Sequence, residues 1–196
     1  MVDPLSPLKY IENPMARRSA VPTFRGRVQV YTGDGKGKTT AALGLALRAA
    51  GRGLRTYFGQ FCKGRMTGEI LAVRRLGRSI VIEQFGGQAL IRSGAPARQD
   101  DILRARRGLE RCREAMLSRK FDIIVLDEIA MAVFLRLLSA REVAALVDER
   151  PAPVELVLTG RRMPPSLLRR ADLITEMKER KHYFAQGVRA RTGIED

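Results

Sequence analysis

Two cysteines, Cys62 and Cys112, stand far apart in a chain of 196 residues. They make neither a metal-binding nor a redox spacing, which points to a reduced, cytoplasmic protein. No apolar run approaches the roughly 18 residues that a bilayer crossing needs. The N-terminal stretch MVDPLSPLKYIENPMARRSA lacks the continuous apolar core of a secretory signal, so no membrane partner is expected. Aromatic residues are scarce at 6%, and almost none interleave with the arginines to stack bases. Acidic residues are in deficit, 21 against 36 Lys and Arg, giving a net charge of +15. With the arginines scattered and unaccompanied by aromatics, that charge reads as solvated surface, and nucleic acid is not expected as a partner. There is no internal repeat and no low-complexity tract.

What is present is a strand-helix alternation. Residues 1–24 hold four of the nine prolines and no sustained period, and read as a flexible arm. A single domain over 25–196 follows, long enough to bury one core. Val28–Tyr31 is a short β-rich run, and Thr39–Leu47 is helical in composition. Further strands are expected at Thr56–Phe61, Ile80–Phe85, Phe121–Leu126, Val154–Thr159 and Leu173–Met177. Between the third and fourth, a long helix from Gln99 to Leu117 has Ile102, Ala105, Leu109, Cys112 and Met116 as one buried stripe. Arg104, Arg107, Arg111 and Arg113 fall off that stripe among Glu110 and Glu114, as a solvated, partly charge-paired face should. Ser139-Ala140-Arg141-Glu142 has the capping-box pattern and opens a helix running to about Arg150. The expected fold is α/β, a mainly parallel sheet of about six strands with helices on both faces, like that of the P-loop nucleotide hydrolases.

The sharpest signal is Thr32-Gly33-Asp34-Gly35-Lys36-Gly37-Lys38-Thr39-Thr40, set between a strand and a helix. Glycines let the backbone turn tightly and aim successive N–H groups at phosphate oxygens, and the helix adds its positive end. Lys38 brings a point charge to the phosphates, and the Thr39 hydroxyl is suited to magnesium. The common pattern G-x-x-x-x-G-K-[ST] expects glycine where Thr32 stands, so this loop is one residue shorter. Asp127 and Glu128 end the buried strand Ile124-Val125-Leu126, where a carboxylate can hold the magnesium directly or through water. Arg161, after Leu158-Thr159-Gly160, can neutralise a terminal phosphate or stand in solvent. His182, the single histidine, is as readily a packed or exposed residue as a ligand. These residues imply bound Mg-ATP but not its reaction, and a γ-phosphate ATPase or kinase stays open at this level.

Several segments together resemble the P-loop ATP:corrinoid adenosyltransferases. They are Thr32–Ala42, Gln60-Phe61-Cys62-Lys63-Gly64, Ile82–Gly86, Val125–Ile129, Leu156–Arg161, Ala171–Met177, and the stretch from Lys181-His182 to Gly193-Ile194-Glu195. The likeness runs in order over residues 26–195, and the short loop is itself a mark of that family. It implies transfer of the 5′-deoxyadenosyl group of ATP to the Co(I) centre of a corrinoid substrate, with release of triphosphate, in adenosylcobalamin biosynthesis or salvage. It also implies a homodimer and an electron donor, a flavoprotein-type reductase. By the resemblance, Gly33, Asp34, Gly35, Lys36, Gly37, Lys38, Thr39, Thr40 and Arg161 bind ATP. Lys38, Thr39 and Glu128 are catalytic, and Thr39, Asp127 and Glu128 hold Mg2+. The chain departs from its relatives at three places. Leu90 and Ile91 stand where relatives often have an aromatic at the corrin face, Ala130 where many have Asn, and Asp196 where many end in an aromatic. An N-terminal segment can cover the site in relatives, so residues 1–24 are a candidate lid.

Overall fold

The computed structural model describes residues 25–75, 77–87 and 97–195. The proposed N-terminal arm, Leu90, Ile91 and Asp196 lie outside them. Six strands and six helices follow one another as β1 (Val28–Thr32), α1 (Lys38–Ala50), β2 (Thr56–Phe61), α2 (Gly68–Arg75), β3 (Ile80–Phe85), α3 (Gln99–Leu117), β4 (Ile123–Asp127), α4 (Ile129–Phe134), α5 (Ala140–Asp148), β5 (Glu155–Thr159), α6 (Pro165–Leu168) and β6 (Leu173–Glu176). The strands form one sheet in the order β3-β2-β4-β5-β1-β6, with every pairing parallel. The expected α/β class is what forms.

The run of apolar residues on β4 has its reason in two covered faces. Ile124 and Leu126, with Leu156 and Leu158 of β5, face the larger core, which α3, α4, α5 and α6 complete. Ile123 and Val125, with Val157, face the other way against Ala42 and Ala49 of α1. Ala46 joins Val73 of α2 and Ile80 of β3 in a third cluster. Because α1 packs through alanines, it lies close on the sheet and its first turn is held against the strand ends. Truncating a fully buried side chain such as Leu158 to Ala costs about 2–5 kcal/mol, mostly through the cavity left behind. The edge strand β6 differs, since all four of its residues are exposed.

On α3 the buried stripe includes Ala105, Cys112 and Met116 as expected, but it is turned toward Gly108. A Cβ at Gly108 would lie 2.5 Å from the Phe85 ring, so helix and strand meet where there is no side chain to hold them apart. Ile102 and Leu109 are pushed to the margin of the core. The arginine face is charge-paired, with Arg104 on Asp101 at 3.1 Å and Arg111 on Glu114 at 2.7 Å and Glu83 at 3.2 Å. The capping box of α5 forms, Ser139 N donating to Glu142 Oε2 (2.7 Å) and Glu142 N to Ser139 Oγ (3.2 Å). Strand β4 starts at Ile123 rather than Phe121, whose ring packs edge-on against Tyr57 at 5.4 Å. Among the described residues no helix is long and apolar enough to cross a membrane.

Candidate active site

The carboxyl ends of the strands converge on a cavity of about 540 Å³, whose floor is the turn from β1 into α1. Gly33 has φ 95°, and a Cβ there would fall 2.4 Å from the Met177 carbonyl oxygen, so glycine alone fits this turn. Gly35 N donates to that same carbonyl at 2.7 Å, which ties the loop to the segment after β6. Gly37 caps α1 without a side-chain hydrogen bond. The first N–H groups of a 13-residue helix are thus free to face an anion, with the helix dipole behind them.

Lys38 is buried and folds back, donating to Gly33 O at 2.7 Å and Gly35 O at 2.6 Å. Burial lowers its pKa, while the charge of Glu128 pulls it back up. An anion in the loop supplies the acceptor that those carbonyls now provide. Lys36 is turned the other way. Its ammonium donates to Tyr183 Oη (3.0 Å), Ile194 O (3.1 Å) and Glu195 Oε1 (2.8 Å), which uses all three of its protons. The Arg191 guanidinium, then Lys36 and Tyr183, hold the Glu195 carboxyl well below the usual carboxylate range. Through this cluster the C-terminal segment closes one side of the cavity.

Asp127 has no exposed surface. Its oxygens accept from Thr39 Oγ1 (2.9 Å), Thr159 Oγ1 (2.7 Å), Lys63 Nζ (3.0 Å) and, longer, Gln60 Nε2 (3.4 Å). The sheet register explains the convergence. Gln84, Gln60 and Asp127 are partners on one rung across β3, β2 and β4, with Gln84 Nε2 donating to Gln60 Oε1 (3.0 Å). Gln60 Nε2 in turn donates to Glu69 Oε1 at 3.0 Å. Glu128, the next residue, leaves the strand at φ 59°, a left-handed turn that aims its side chain into the cavity. Burial raises its pKa, the Asp127 charge raises it further, and Lys63, Lys38 and Arg161 offset this only in part.

Of the residues singled out from the sequence, Gly35, Lys36, Gly37, Lys38, Thr39, Thr40, Glu128 and Arg161 line this cavity together. Gly33 shapes the turn beneath it, Asp127 lies behind its wall, and Asp34 is exposed on the loop. Arg161 is exposed at the rim. His182 lines the cavity and its Nδ1 accepts from Phe184 N at 3.0 Å, a capping contact. Sequence reasoning did not assign Lys63, Glu69 or Glu195 to the site. The run Gln60-Phe61-Cys62-Lys63-Gly64, one of the segments that carries the family resemblance, was the available signal for the first. Cys62 is half-buried against the core, and burial pushes its thiol up to about 12, away from the thiolate form. Among the described residues no group of three or more His, Cys, Asp or Glu could hold a metal.

The sequence model of the family described as ATP:corrinoid adenosyltransferase BtuR/CobO/CobP matches residues 24–195. The corrinoid adenosyltransferase of Pseudomonas aeruginosa is 33% identical over 172 residues, which cover 87% of this chain and 84% of that protein. The corrinoid adenosyltransferase of Escherichia coli strain K12 is 31% identical over 185 residues, covering 92% of this chain and 90% of that protein. Corrinoid adenosyltransferase CobA of Salmonella typhimurium is 30% identical over a span of the same length and coverage.

Proposed function

The chain belongs to the ATP:corrinoid adenosyltransferases, and from that premise we propose that the cavity above β1 and α1 is where it adenosylates its corrinoid. The reaction is transfer of the adenosyl group of ATP to the cobalt of a corrinoid. In our reading the Co(I) form is the nucleophile. It attacks the 5′ carbon of ATP, and the C5′–O bond breaks with its electron pair passing to the triphosphate. Cobalt carries no proton to remove, so no general base is needed, and Glu128 is free for another task.

What the chain must do is hold and neutralise a large polyanion in a fixed pose. The backbone N–H groups from Gly33 to Lys38 cradle it, with the N-terminal turn of α1 behind them. Lys38 exchanges its two loop carbonyls for phosphate oxygens, and Thr40 and Arg161 add donors at the rim. The observation that carries this reading is the pairing of an uncapped helix start with a half-buried carboxylate facing the same cavity. That carboxylate also fits a divalent cation. Glu128 would be a hard oxygen ligand whose charge is only partly offset, and Thr39, its hydroxyl held by Asp127, lines the same cavity. Among the described residues no group of three or more His, Cys, Asp or Glu could hold a metal, so phosphate oxygens would complete and tighten the coordination, as suits Mg2+. When bound, Mg2+ would neutralise charge on the triphosphate. Asp127, which accepts from the Thr39 hydroxyl, would orient its oxygen for that site.

The homodimer, the flavoprotein-type electron donor that keeps the corrinoid at Co(I), the cytoplasmic setting and the lid role of residues 1–24 belong to the same proposal. Manganese, as a spin probe for the magnesium site, tests the assignment of Glu128. Electron paramagnetic resonance should show one tight Mn2+ per chain with ATP present, weakened at least about 10-fold in Glu128→Gln. Unchanged Mn2+ affinity in that variant would remove Glu128 from the metal site.

A further inference from the structure

Lys63 is the cation that the sequence did not assign, and its placement is built with care. Strand β2 ends at Phe61, and Cys62 takes φ 57°, a left-handed conformation costly for a side-chain-bearing residue. The next turn is locked from outside. A Cβ on Gly64 would lie 2.5 Å from Gly86 O, and one on Gly86 would lie 2.4 Å from Lys63 N. The two turns after β2 and β3 therefore touch backbone to backbone. This interlock sends Lys63 back across the strand ends, its side chain 29% exposed and lining the cavity. There its ammonium stands 3.0 Å from Asp127 Oδ2 and 3.4 Å from Thr39 Oγ1. Of the four donors on Asp127, Lys63 alone carries a formal charge.

Resting on the triphosphate-site reading above, we propose that Lys63 is a two-position catalytic cation. In one position, the one seen here, it stands between Thr39 and Asp127, beside the place where a divalent cation would bind. When Mg-ATP arrives, two cations cannot share the Thr39 hydroxyl oxygen. The flexible lysine stem lets the ammonium turn to the triphosphate while Asp127 keeps Thr39, Thr159 and Gln60 as donors. There Lys63 donates to phosphate oxygens beside Lys38 and Arg161, adding positive charge where the leaving electron pair accumulates. A residue that serves only to pair a buried aspartate does neither of these things.

The two positions predict effects of opposite sign in Lys63→Met. Calorimetric titration with inorganic tripolyphosphate, the leaving group itself, should show affinity weakened about 10–100-fold relative to the unsubstituted enzyme. Binding of Mn2+ without nucleotide should tighten several-fold, because its competitor is gone. Lys63→Arg should retain tripolyphosphate binding within about 5-fold, which controls for folding. Tripolyphosphate affinity unchanged in Lys63→Met, or both ligands weakened equally in the Met and Arg variants, overturns the proposal and leaves Lys63 a structural partner of Asp127. If the unsubstituted enzyme itself fails to bind tripolyphosphate, it is the location of the site that is wrong.

Discussion

At the amino ends of the strands, side-chain carboxylates staple neighbouring elements together. Asp172 accepts from Val28 N (2.8 Å) and from Arg27 (3.0 Å), joining the start of β6 to β1. Asp122 accepts from Arg55 N (2.8 Å) beside β2, and Glu155 from Arg27 N (2.7 Å) beside β1. At the carboxyl ends of the same strands the chain leaves with positive φ, taken by glycine at Gly33 (95°) and Gly160 (136°) and, at a cost, by side-chain-bearing Cys62 (57°) and Glu128 (59°). Lys38 is buried and Glu128 half-buried there, and desolvation shifts the pKa of each toward its neutral form. One end has its charges matched inside the fold, and the other keeps charges that an outside ligand must match. A parallel sheet puts every strand end of one kind on one side, so the topology itself separates the two tasks.

The sharpest way to break this contrast is Lys38→Ala. Loss of the charge at the loop should lower kcat/KM at least about 100-fold while the melting temperature changes little. Steady-state kinetics beside a thermal melt checks both. Glu128→Gln should cut the two properties apart in opposite directions. Activity falls at least about 10-fold, and the melting temperature rises about 1–3 °C because a half-buried charge next to Asp127 is gone. The sign with pH follows from its raised pKa. Stability linked to Glu128 is fully present below the unfolded value of about 4.3 and is lost as pH rises through the higher folded value. The gain in Glu128→Gln should therefore be seen at neutral pH and vanish as the melts are taken into acid.

Asp172→Asn sharpens the comparison from the other end. The Val28 N–H first, and then Arg27, hold its carboxyl below the ordinary value. The sign here is reversed, for its contribution is present above the unfolded value and lost as pH falls through the folded one. The melting temperature should drop about 2–4 °C at neutral pH, with kcat/KM within about 2-fold. A larger loss of activity than of stability in this variant would contradict the division between the two ends.

The strands and the phosphate loop were legible because their signals are local. The apolar run Ile124–Leu126 and the glycines from Gly33 to Gly37 announce themselves within a few residues. Short helices were not, since α4 (Ile129–Phe134) is apolar all round and α6 has only four residues, too few for a period. In the site, Thr39, Asp127 and Glu128 could be singled out because a phosphate loop and the acidic end of a buried strand are also local signals. The placement of Lys63 was hidden, because what aims it is the contact between Gly64 and Gly86, on separate turns. The tie from Lys36 to Glu195 spans 159 positions and leaves no spacing to notice.

The most direct test is an anaerobic assay of the purified protein with ATP, magnesium and chemically reduced cobalamin. The visible spectrum should show Co(I) consumed and a photolabile cobalt–carbon bond formed, with triphosphate as the phosphate product. ADP and phosphate without a cobalt–carbon bond would contradict the account and make the same loop that of an ATPase.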